Sequence, residues 1–335
     1  MMPSVSVIIP CKNEENYIVA CIQSVLNNQY PSDRLEVLVC DGMSEDRTPE
    51  LVKGFSNPRV KLIENIDITT PYGLNAGIGA SNSDIIIILG AHSVVDSEFI
   101  RHSVDAFSFG SDIGCTGGLI ETVSEDSQSR SIAKAMSSPF GVGNAYFRTG
   151  LREGYVDTVA FGAYRRDVFQ KVGLFDVSLT RNQDDEFNYR LIKAGYKIYL
   201  YPLIKSKYYS RSTYSKLFRQ YYQYGYWKVF VNKKHRTVTT LRQLVPAAFV
   251  LYLISLILVF ANSVKAGIAW FSFLVLYALL AIIYARKLAR WNEVPSIVYT
   301  FFLLHLSYGL GYLHGIIRFM VLGKKPSAAS KKLSR

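Results

Sequence analysis

The chain up to residue 200 alternates short apolar runs with segments of helical periodicity. This alternation predicts the α/β class, with a mostly parallel sheet covered by helices. The run from Ile85 to Leu89 is apolar throughout, as expected of a central strand buried on both faces. The predicted strands are Val5–Ile9, Leu35–Cys40, Val60–Ile63 and Ile85–Leu89, and the predicted helices are Glu15–Leu26, Pro49–Phe55 and Tyr72–Ala80.

Polar segments follow three of the predicted strands, at residues 10–16, 41–48 and 90–95. Ligands of parallel sheets bind beyond the carboxyl ends of the strands, so we expect the substrate site there. From Gly117 to Gly162 the periodicity weakens, and we expect a Gly- and Ser-rich loop of functional importance. The sequence has no P-loop motif.

Two apolar stretches near the C-terminus have the length of transmembrane helices, because about 20 residues cross a bilayer core. They are Leu244–Phe260 and Val264–Ala285, and their short link predicts a hairpin. Lys and Arg residues precede the first stretch and follow the second. The positive-inside rule therefore places both flanks and the N-terminal domain in the cytoplasm, in a multi-pass protein of the cell membrane.

A third apolar stretch, Pro295–Leu322, is followed by a basic tail. If this stretch crossed the membrane, the tail would lie outside, against the positive-inside rule. We therefore expect a re-entrant or interfacial element, with a full crossing as the alternative. The pair Gly311-x-x-x-Gly315 within it predicts close packing on another helix.

Residues 215–231 interleave aromatic side chains with Lys and Arg. This mixture suits a helix at a membrane surface, and base stacking is its other use. The hydrophobic fraction of 49% is high for a soluble enzyme, and much of the net charge of +12 flanks the apolar stretches. We therefore expect the membrane, with its anionic lipids, as the partner and no nucleic acid.

The four cysteines show no CxxC spacing, and three lie in or beside apolar runs. We expect reduced packing residues of a cytosolic domain, and neither disulfides nor a zinc site. The chain starts Met-Met-Pro-Ser and enters the first predicted strand at once. We therefore expect no signal peptide.

Three consecutive acids, Asp184, Asp185 and Glu186, open a predicted helix that ends at Gly195. Acids in a first helical turn are stabilised by the helix dipole and can cap backbone N–H groups. The alternative is that one carboxylate faces a cleft and takes a proton from a substrate hydroxyl. That alternative requires a donor site elsewhere in the chain.

Two motifs resemble the opening of the family 2 glycosyltransferases of the GT-A fold. They are Val5-Ser6-Val7-Ile8-Ile9-Pro10-Cys11-Lys12-Asn13-Glu14-Glu15-Asn16 and Val39-Cys40-Asp41-Gly42-Met43-Ser44-Glu45-Asp46-Arg47-Thr48. Later motifs are similar to those of the succinoglycan-biosynthesis ExoA-like branch and follow in order, so the resemblance covers residues 4–231. They are Gly73-Leu74-Asn75-Ala76-Gly77, Gly90-Ala91-His92, Ser138-Pro139-Phe140-Gly141-Val142-Gly143-Asn144, Val156-Asp157-Thr158-Val159, Arg181-Asn182-Gln183-Asp184 and Arg219-Gln220-Tyr221-Tyr222-Gln223-Tyr224-Gly225-Tyr226-Trp227.

The resemblance implies a nucleotide-sugar pocket after the first strands. Asp41 would accept hydrogen bonds from the base or ribose. Pro10, Asn13, Glu14 and Asn75 would line the same pocket. The alternatives are a turn aspartate at position 41 and helix capping by Asn13 or Glu14.

The resemblance also implies the catalytic base and the acceptor side. In the Glu-Asp or Gln-Asp motif of the family the aspartate aligns with Asp184, and the adjacent Asp185 is the second candidate. Arg219, Gln220 and Trp227 resemble the acceptor-side motif. For Trp227 the alternative is anchoring of an interfacial helix.

The metal position departs from the family. The superfamily has Asp-x-Asp after the fourth strand and the branch has Asp-Ala-His, whereas this chain has Gly90-Ala91-His92. His92 with diphosphate oxygens and water would hold Mn²⁺ or Mg²⁺ weakly, because a hard anionic ligand is missing. A structural role for His92 is the alternative. Lys12 or Arg181 would balance the diphosphate charge if no metal were needed.

These features together imply a membrane-anchored inverting glycosyltransferase. It would move a sugar from a nucleotide-sugar, with UDP expected, to a polyprenyl-linked saccharide in exopolysaccharide or surface glycan synthesis. The alternatives are a polyprenyl-phosphate sugar synthase and a non-catalytic membrane subunit of the same fold. The expected domains are a GT-A domain at residues 1–210, an aromatic and basic region at 211–243, a membrane region at 244–322 and a basic tail at 323–335.

Overall fold

The computed structural model describes residues 2–124, 126–209, 213–239 and 241–326. The chain divides into two compact units, the first comprising Met1–Val123 and Tyr146–Tyr209, and the second Ser124–Ala145 and Ser210–Arg335. The first unit ends where the sequence predicts the end of the GT-A domain. The grouping of residues 124–145 with the C-terminal helices was not predicted. Most of the predicted basic tail, residues 327–335, lies outside the described residues.

The described residues of the first unit form a nine-stranded sheet. Its strands are β1 (Val5–Cys11), β2 (Leu35–Asp41), β3 (Val60–Glu64), β4 (Ile85–Ile88), β5 (Ser93–Val95), β6 (Ile113–Val123), β7 (Gly154–Val156), β8 (Ala160–Arg165) and β9 (Lys197–Tyr209). Their order is β3-β2-β1-β4-β8-β6-β9-β5, and β7 pairs with β9. The pairs among β1 to β4 and the pair β6–β9 are parallel, which confirms the predicted fold class.

The central strand β4 is buried on both faces. In β4, Ile85 and Ile87 belong to one hydrophobic cluster and Ile86 to another, because neighbouring side chains of a strand point to opposite faces. Each fully buried side chain of this kind contributes about 1.5–3 kcal/mol by leaving water. The unbroken apolar run therefore predicted the central position of β4 correctly.

Thirteen helices flank the sheet or follow it in the described residues. They are α1 (Ile18–Leu26), α2 (Thr48–Lys53), α3 (Thr70–Ala80), α4 (Phe99–Asp105), α5 (Ser127–Met136), α6 (Pro139–Val142), α7 (Tyr146–Thr149), α8 (Arg166–Val172), α9 (Gln183–Lys193), α10 (Tyr214–His235), α11 (Val245–Asn262), α12 (Val264–Leu288) and α13 (Val294–Gly315). The predicted helices are confirmed, although α1 begins three residues later than expected. The N–H groups of Glu14 and Glu15 instead bind Thr48 and Asp46 of the next loop, at 2.8 and 3.1 Å.

Residues 117–162 do not form the predicted loop. They contain most of β6, helices α5 to α7, strand β7 and the start of β8. Part of the Ser-rich segment forms a capping box at the start of α5, in which Ser129 N–H donates to Asp126 Oδ1 at 2.7 Å. The glycines serve close packing, because a β-carbon on Gly118 would collide with the carbonyl oxygen of Ile204.

The four cysteines carry free thiols and are buried, as predicted. Burial raises the pKa of Cys21 and of Cys40 to about 12, so both thiols stay protonated and unreactive at neutral pH. They are packing residues of the first unit.

Among the described residues of the second unit, three helices are long and apolar enough to cross a membrane, namely Leu241–Asn262, Val264–Leu288 and Trp291–Val321. The most apolar windows of the first two are only 17% and 11% buried within the protein, which suits a surface in contact with lipid. The third window is 50% buried. The stretch Pro295–Leu322 is described throughout and lies almost wholly in a helical segment of spanning length, Trp291–Val321. The re-entrant or interfacial element and the full crossing both remain predictions.

Helix α13 packs closely on α10 through glycines. A β-carbon on Gly311 would collide with the carbonyl oxygen of Tyr222, and one on Gly225 with that of Tyr308. At Gly315 it would lie 2.8 Å from the Tyr226 carbonyl oxygen. The close packing predicted from the Gly311-x-x-x-Gly315 spacing is therefore confirmed, and the partner is α10.

Candidate active site

The loops that follow β1 and β2 are hydrogen bonded to each other. Asn13 N–H donates to Ser44 Oγ at 2.8 Å, and Glu45 N–H donates to Asn13 Oδ1 at 2.8 Å. Asn13 has a φ of 55° and Met43 of 57°, so both loops contain a left-handed residue. Such conformations persist where the surrounding bonds determine them. Asn13 and the segment from Asp41 to Glu45 therefore form a fixed surface, the ledge, at the carboxyl ends of β1 and β2.

Asp41 is the buried centre of this ledge. Its carboxylate accepts hydrogen bonds from the Ser44 N–H group at 3.0 Å, from the Ser44 hydroxyl and from the Cys11 thiol at 3.7 Å. Burial and then the Asp41 charge raise the pKa of Cys11, so the thiol remains a donor. Asp41 is thus a turn aspartate. A carboxylate can accept about four hydrogen bonds, which leaves capacity for a ligand.

The loop after β3 closes against the same ledge. A β-carbon on Gly42 would lie 2.7 Å from the carbonyl oxygen of Ile68, so a larger residue there would displace this loop. Pro10 is half-buried at the end of β1 and adjoins Gly73 of α3. The pairing of β1 with β2 thus places Pro10 and Asn13 near Asp41. Their contact with a nucleotide-sugar remains a prediction.

Asn75 has a different environment from the one expected. Its Nδ2 donates to the Phe175 carbonyl at 2.9 Å and its Oδ1 accepts from the Phe175 N–H at 2.9 Å. Both ends of the amide are used to fasten α3 to the chain before α9. The contact to the donor remains a prediction, and the geometry gives Asn75 a structural role.

The three acids of α9 have three different environments. Asp184 is exposed, Asp185 is half-buried and Glu186 is completely buried. Glu186 is bonded to the Arg190 guanidinium at 2.9 Å, and Arg190 also donates to the Val172 carbonyl at 2.7 Å. Glu186 is therefore the buried partner of an ion pair with Arg190, whereas Asp184 reaches the surface in the first turn of α9.

Asn188 lies one turn after Asp184 on the same side of α9, since residues four apart share a side of a helix. Its hydrogen bonds hold that side of the helix in place. It is buried, donates to Thr158 Oγ1 at 3.0 Å and accepts from the Tyr164 hydroxyl at 3.2 Å. Burial raises the pKa of Tyr164 well above its ordinary value, and the Cys115 thiol and the Asp184 charge raise it further. Tyr164 therefore keeps the proton that it donates to Asn188.

His92 follows β4, and its Nδ1 lies 3.3 Å from Glu14 Oε1. No group of three or more His, Cys, Asp or Glu residues within the described residues is placed to hold a metal ion. A β-carbon on Gly90 would lie 3.1 Å from Phe161 Cε1, and φ at Gly90 is not in the left-handed region. Within the part of the chain that the structure describes, the segment after β4 thus offers the imidazole of His92 and no carboxylate cage, which fits an ion held chiefly by diphosphate and water.

Residues 6–173 match the family described as Glycosyl transferase family 2. The chain belongs to glycosyltransferase family 2. This family 2 enzyme is 30% identical over 332 residues to the "Dolichyl N-acetyl-alpha-D-glucosaminyl phosphate 3-beta-D-2,3-diacetamido-2,3-dideoxy-beta-D-glucuronosyltransferase" of Methanococcus voltae, with 95% of this chain and 98% of that protein covered. It is 30% identical over 247 residues to the "Succinoglycan biosynthesis protein ExoA" of Rhizobium meliloti (strain 1021), covering 72% of this chain and 74% of that protein.

A solved structure has a similar fold. It is described as "Mannosyltransferase PcManGT from Pyrobaculum calidifontis in complex with GDP-Man and Mn2+". The match has a TM-score of 0.59 at 17% identity and covers 93% of this chain and 88% of that chain. This family 2 glycosyltransferase therefore has the GT-A fold that its sequence resembles.

The acceptor-side candidates of the glycosyltransferase lie in α10, within the second unit. Arg219 is exposed, and Gln220 Nε2 donates to the Tyr224 hydroxyl at 2.8 Å. Trp227 is completely buried, with ring edges against Tyr226 and Phe230. A buried indole is a packing residue, so the structure favours neither surface anchoring nor direct acceptor contact for Trp227.

Sequence reasoning missed three residues that position this site. Ser44 holds Asp41, Thr48 holds the backbone of Glu14, and Asn188 holds α9. Ser44 was detectable, because an aspartate often bonds the backbone two or three residues later in a turn. Thr48 and Asn188 act across 34 and 30 residues, so no local pattern indicated them.

Proposed function

We propose that this family 2 enzyme is a membrane-anchored inverting glycosyltransferase with a nucleotide-sugar donor and a lipid-linked saccharide acceptor. The observation that carries the proposal is the exposed position of Asp184 in the first turn of α9, where an acceptor hydroxyl can reach its carboxylate. Glu186 is bound to Arg190, whereas Asp184 lies in the first turn with its side chain exposed. Asp184 is therefore the proposed base, with Asp185 as the second candidate.

The proposed reaction is a single displacement. A hydroxyl of the acceptor gives its proton to the Asp184 carboxylate while its oxygen attacks the anomeric carbon of the donor. The bond from that carbon to the diphosphate oxygen breaks, and the nucleoside diphosphate leaves. The configuration at the anomeric carbon of the transferred sugar is inverted. General-base assistance of this kind is worth about 10²–10⁴ in rate.

The proposed donor pocket is the ledge around Asp41, with Pro10 and Asn13 beside it. Asp41 would accept hydrogen bonds from the base or ribose, for which its fixed carboxylate is oriented by Ser44. We propose UDP as the nucleotide. Asn75 belongs to this pocket only indirectly, since its amide is bonded to Phe175.

We propose a weakly held Mn²⁺ or Mg²⁺ with His92 as its protein ligand. A bound divalent ion would neutralise charge that develops on the leaving diphosphate. With Gly90 in place of the first acid, this chain supplies fewer anionic ligands than the family pattern. Lys12 and Arg181 remain the proposed alternatives for balancing the diphosphate charge.

The relatives support a saccharide on a lipid as the acceptor. The Methanococcus voltae relative is named for transfer to a dolichyl-linked sugar phosphate, and its similarity extends over both units. This favours a polyprenyl-linked saccharide over polyprenyl phosphate itself. The basic flanks support a cytoplasmic first unit, with the second unit in the membrane.

A panel of nucleotide-sugars incubated with membranes that contain the protein would test this function. We expect one labelled donor to transfer its sugar to an extractable lipid-linked saccharide, and Asp184→Asn to reduce the rate of transfer by about 10²-fold or more. A product on polyprenyl phosphate would identify a synthase instead. Donor binding without transfer or hydrolysis by the unmodified protein would contradict the proposed activity.

A further inference from the structure

Glu14 and His92 come from the ends of adjacent parallel strands. β1 and β4 pair in register at Ile8 and Ile88, and the two side chains follow these positions by six and four residues. Glu14 Oε1 lies 3.3 Å from His92 Nδ1. The Glu14 side chain is only 9% exposed, whereas that of His92 is 28% exposed. The carboxylate therefore lies behind the imidazole, and the imidazole faces the open side.

Both partners are held by contacts that do not depend on the pair. Glu14 N–H donates to Thr48 Oγ1 at 2.8 Å. The His92 carbonyl accepts from Tyr209 N–H at 3.0 Å, and the ring packs edge-on against Tyr208 with centroids 4.7 Å apart. Tyr17 packs on the ring from another direction, at 6.3 Å. The orientation of the imidazole is thus fixed by two strands and two aromatic rings.

This arrangement determines where the imidazole proton resides. A neutral imidazole has one donor nitrogen and one acceptor nitrogen, whereas an ionised carboxylate only accepts. For a neutral imidazole beside an ionised carboxylate, the 3.3 Å contact places the proton on Nδ1 and the lone pair on Nε2. A histidine that binds a metal commonly donates its other N–H to a carboxylate, which orients the ring and makes it a more basic ligand.

We propose that Glu14 is a positioning residue that holds His92 in the Nδ1–H tautomer and presents Nε2 to the diphosphate side of the donor. The inference rests on the proposed function for the identity of the ligand, a divalent ion on the diphosphate. It assigns Glu14 a role other than the nucleotide contact expected from the family. An imidazole held in one orientation compensates in part for the acid that is absent at Gly90.

The tautomer of His92 is measured first, without metal or donor. The full chain in detergent is labelled with ¹⁵N-histidine, and His92 is assigned by loss of its signal in His92→Gln. Two other histidines are internal references: His102 Nδ1 lies 3.0 Å from the Leu203 carbonyl, and His305 Nε2 lies 2.9 Å from the Phe140 carbonyl. Carbonyls only accept, so these are Nδ1–H and Nε2–H standards.

At a pH where the rings are neutral, we expect the His92 signals to match His102. In Glu14→Gln they should shift towards the His305 pattern, because the neutral amide no longer requires a donor at Nδ1. Glu15→Gln is the matched control, since Glu15 pairs with Arg47 at 3.3 Å and should leave His92 unchanged. A wild-type His92 that matches His305 would overturn the proposal.

Mn²⁺ binding, followed by electron paramagnetic resonance with UDP and separately with GDP, is the second measurement. We expect Glu14→Gln to weaken Mn²⁺ binding by about 10–100-fold, the usual effect of removing such a carboxylate. In a His92→Ala background, Glu14→Gln should have no further effect, because Glu14 acts through His92. A further loss there would make Glu14 a direct ligand and contradict the positioning role.

These readouts separate this inference from the proposed function. The tautomer is observed in protein without donor, so a chain that transfers no sugar can still show the Glu14-dependent tautomer. Conversely, the enzyme could be active while Glu14→Gln changes neither the His92 tautomer nor the Mn²⁺ affinity. That result would support the proposed function and contradict this inference. Melting temperatures of each variant exclude simple unfolding as the cause of a change.

Discussion

The ring of Phe161 lies against the α-carbon of Gly90, so that a β-carbon there would come within 3.1 Å of Phe161 Cε1. Phe161 itself has a φ of 49°, a conformation that bulky residues rarely adopt. A side chain at position 90, where the resemblance implies the first metal-binding acid, would therefore press on the Phe161 ring, and the Phe161 backbone is itself in a strained conformation. The departure at position 90 therefore involves a second residue, one that lies on β8.

Gly90→Asp should lower the Mn²⁺ concentration needed for half-maximal activity, because it adds a hard anionic ligand where the family has one. The backbone tolerates the change, since φ at Gly90 is not left-handed. The ring of Phe161 opposes it, so Gly90→Asp with Phe161→Ala should show the larger gain. Metal titrations of transfer activity, with melting curves of all variants, measure this effect.

The unmodified enzyme should lose activity in EDTA and need a high concentration of Mn²⁺ or Mg²⁺ for its recovery. His92→Ala should raise that requirement further, since it removes the proposed protein ligand. Full activity in EDTA would contradict both the metal proposal and the expected gain from Gly90→Asp. Lys12→Ala and Arg181→Ala would then test the alternative counter-charges.

Asp184→Asn should reduce turnover by about 10²-fold or more while donor binding persists, because the amide cannot take the acceptor proton. Asp185→Asn should be mild. Glu186→Gln is the structural control: it breaks a buried ion pair, which costs about 3–5 kcal/mol, so it should lower the melting temperature. Single-turnover rates and donor titrations distinguish these effects. If Asp185→Asn lost most of its turnover and Asp184→Asn lost little, the base would be Asp185.

A cysteine at Ser263 should react with an impermeant thiol reagent in intact cells, because the hairpin tip is predicted to face outwards. One at Ser330, which lies outside the described residues, should not react if α13 is interfacial. The four native thiols are buried and give little background. Labelling at position 330 would show that the third apolar helix crosses the membrane completely.

Gly311→Ala should destabilise the second unit by about 1–3 kcal/mol, because a methyl group would press on the backbone of α10 and a backbone cannot rotate away. Gly79→Ala is the matched control. Gly79 also lies in a helix, but a β-carbon there has no neighbour within 4 Å, so the change should stabilise by about 0.4–1 kcal/mol. Unfolding in detergent, followed by circular dichroism, measures both. Equal stability of Gly311→Ala and the wild type would contradict the close packing of α10 and α13.

The sequence by itself determined the elements whose signals are local. Runs rich in apolar residues located β1 to β4 to within two residues. The run of β4 is unbroken because that strand is buried on both faces. The spacing Gly311-x-x-x-Gly315 predicted close helix packing, and the motif order predicted family 2. These features depend on neighbouring residues and need no knowledge of distant contacts.

Only the tertiary structure decided which polar residues are occupied by structural bonds. Asn75 and Phe175 are 100 residues apart, and no local pattern showed that the amide of Asn75 is used there. Glu186 differs from Asp184 because folding brings the Val172 carbonyl to Arg190, which holds the Glu186 carboxylate. The position of Glu14 behind His92 likewise follows from the pairing of β1 with β4. A sequence specifies the chemistry of each side chain, but long-range packing determines which of these groups remain accessible to a substrate.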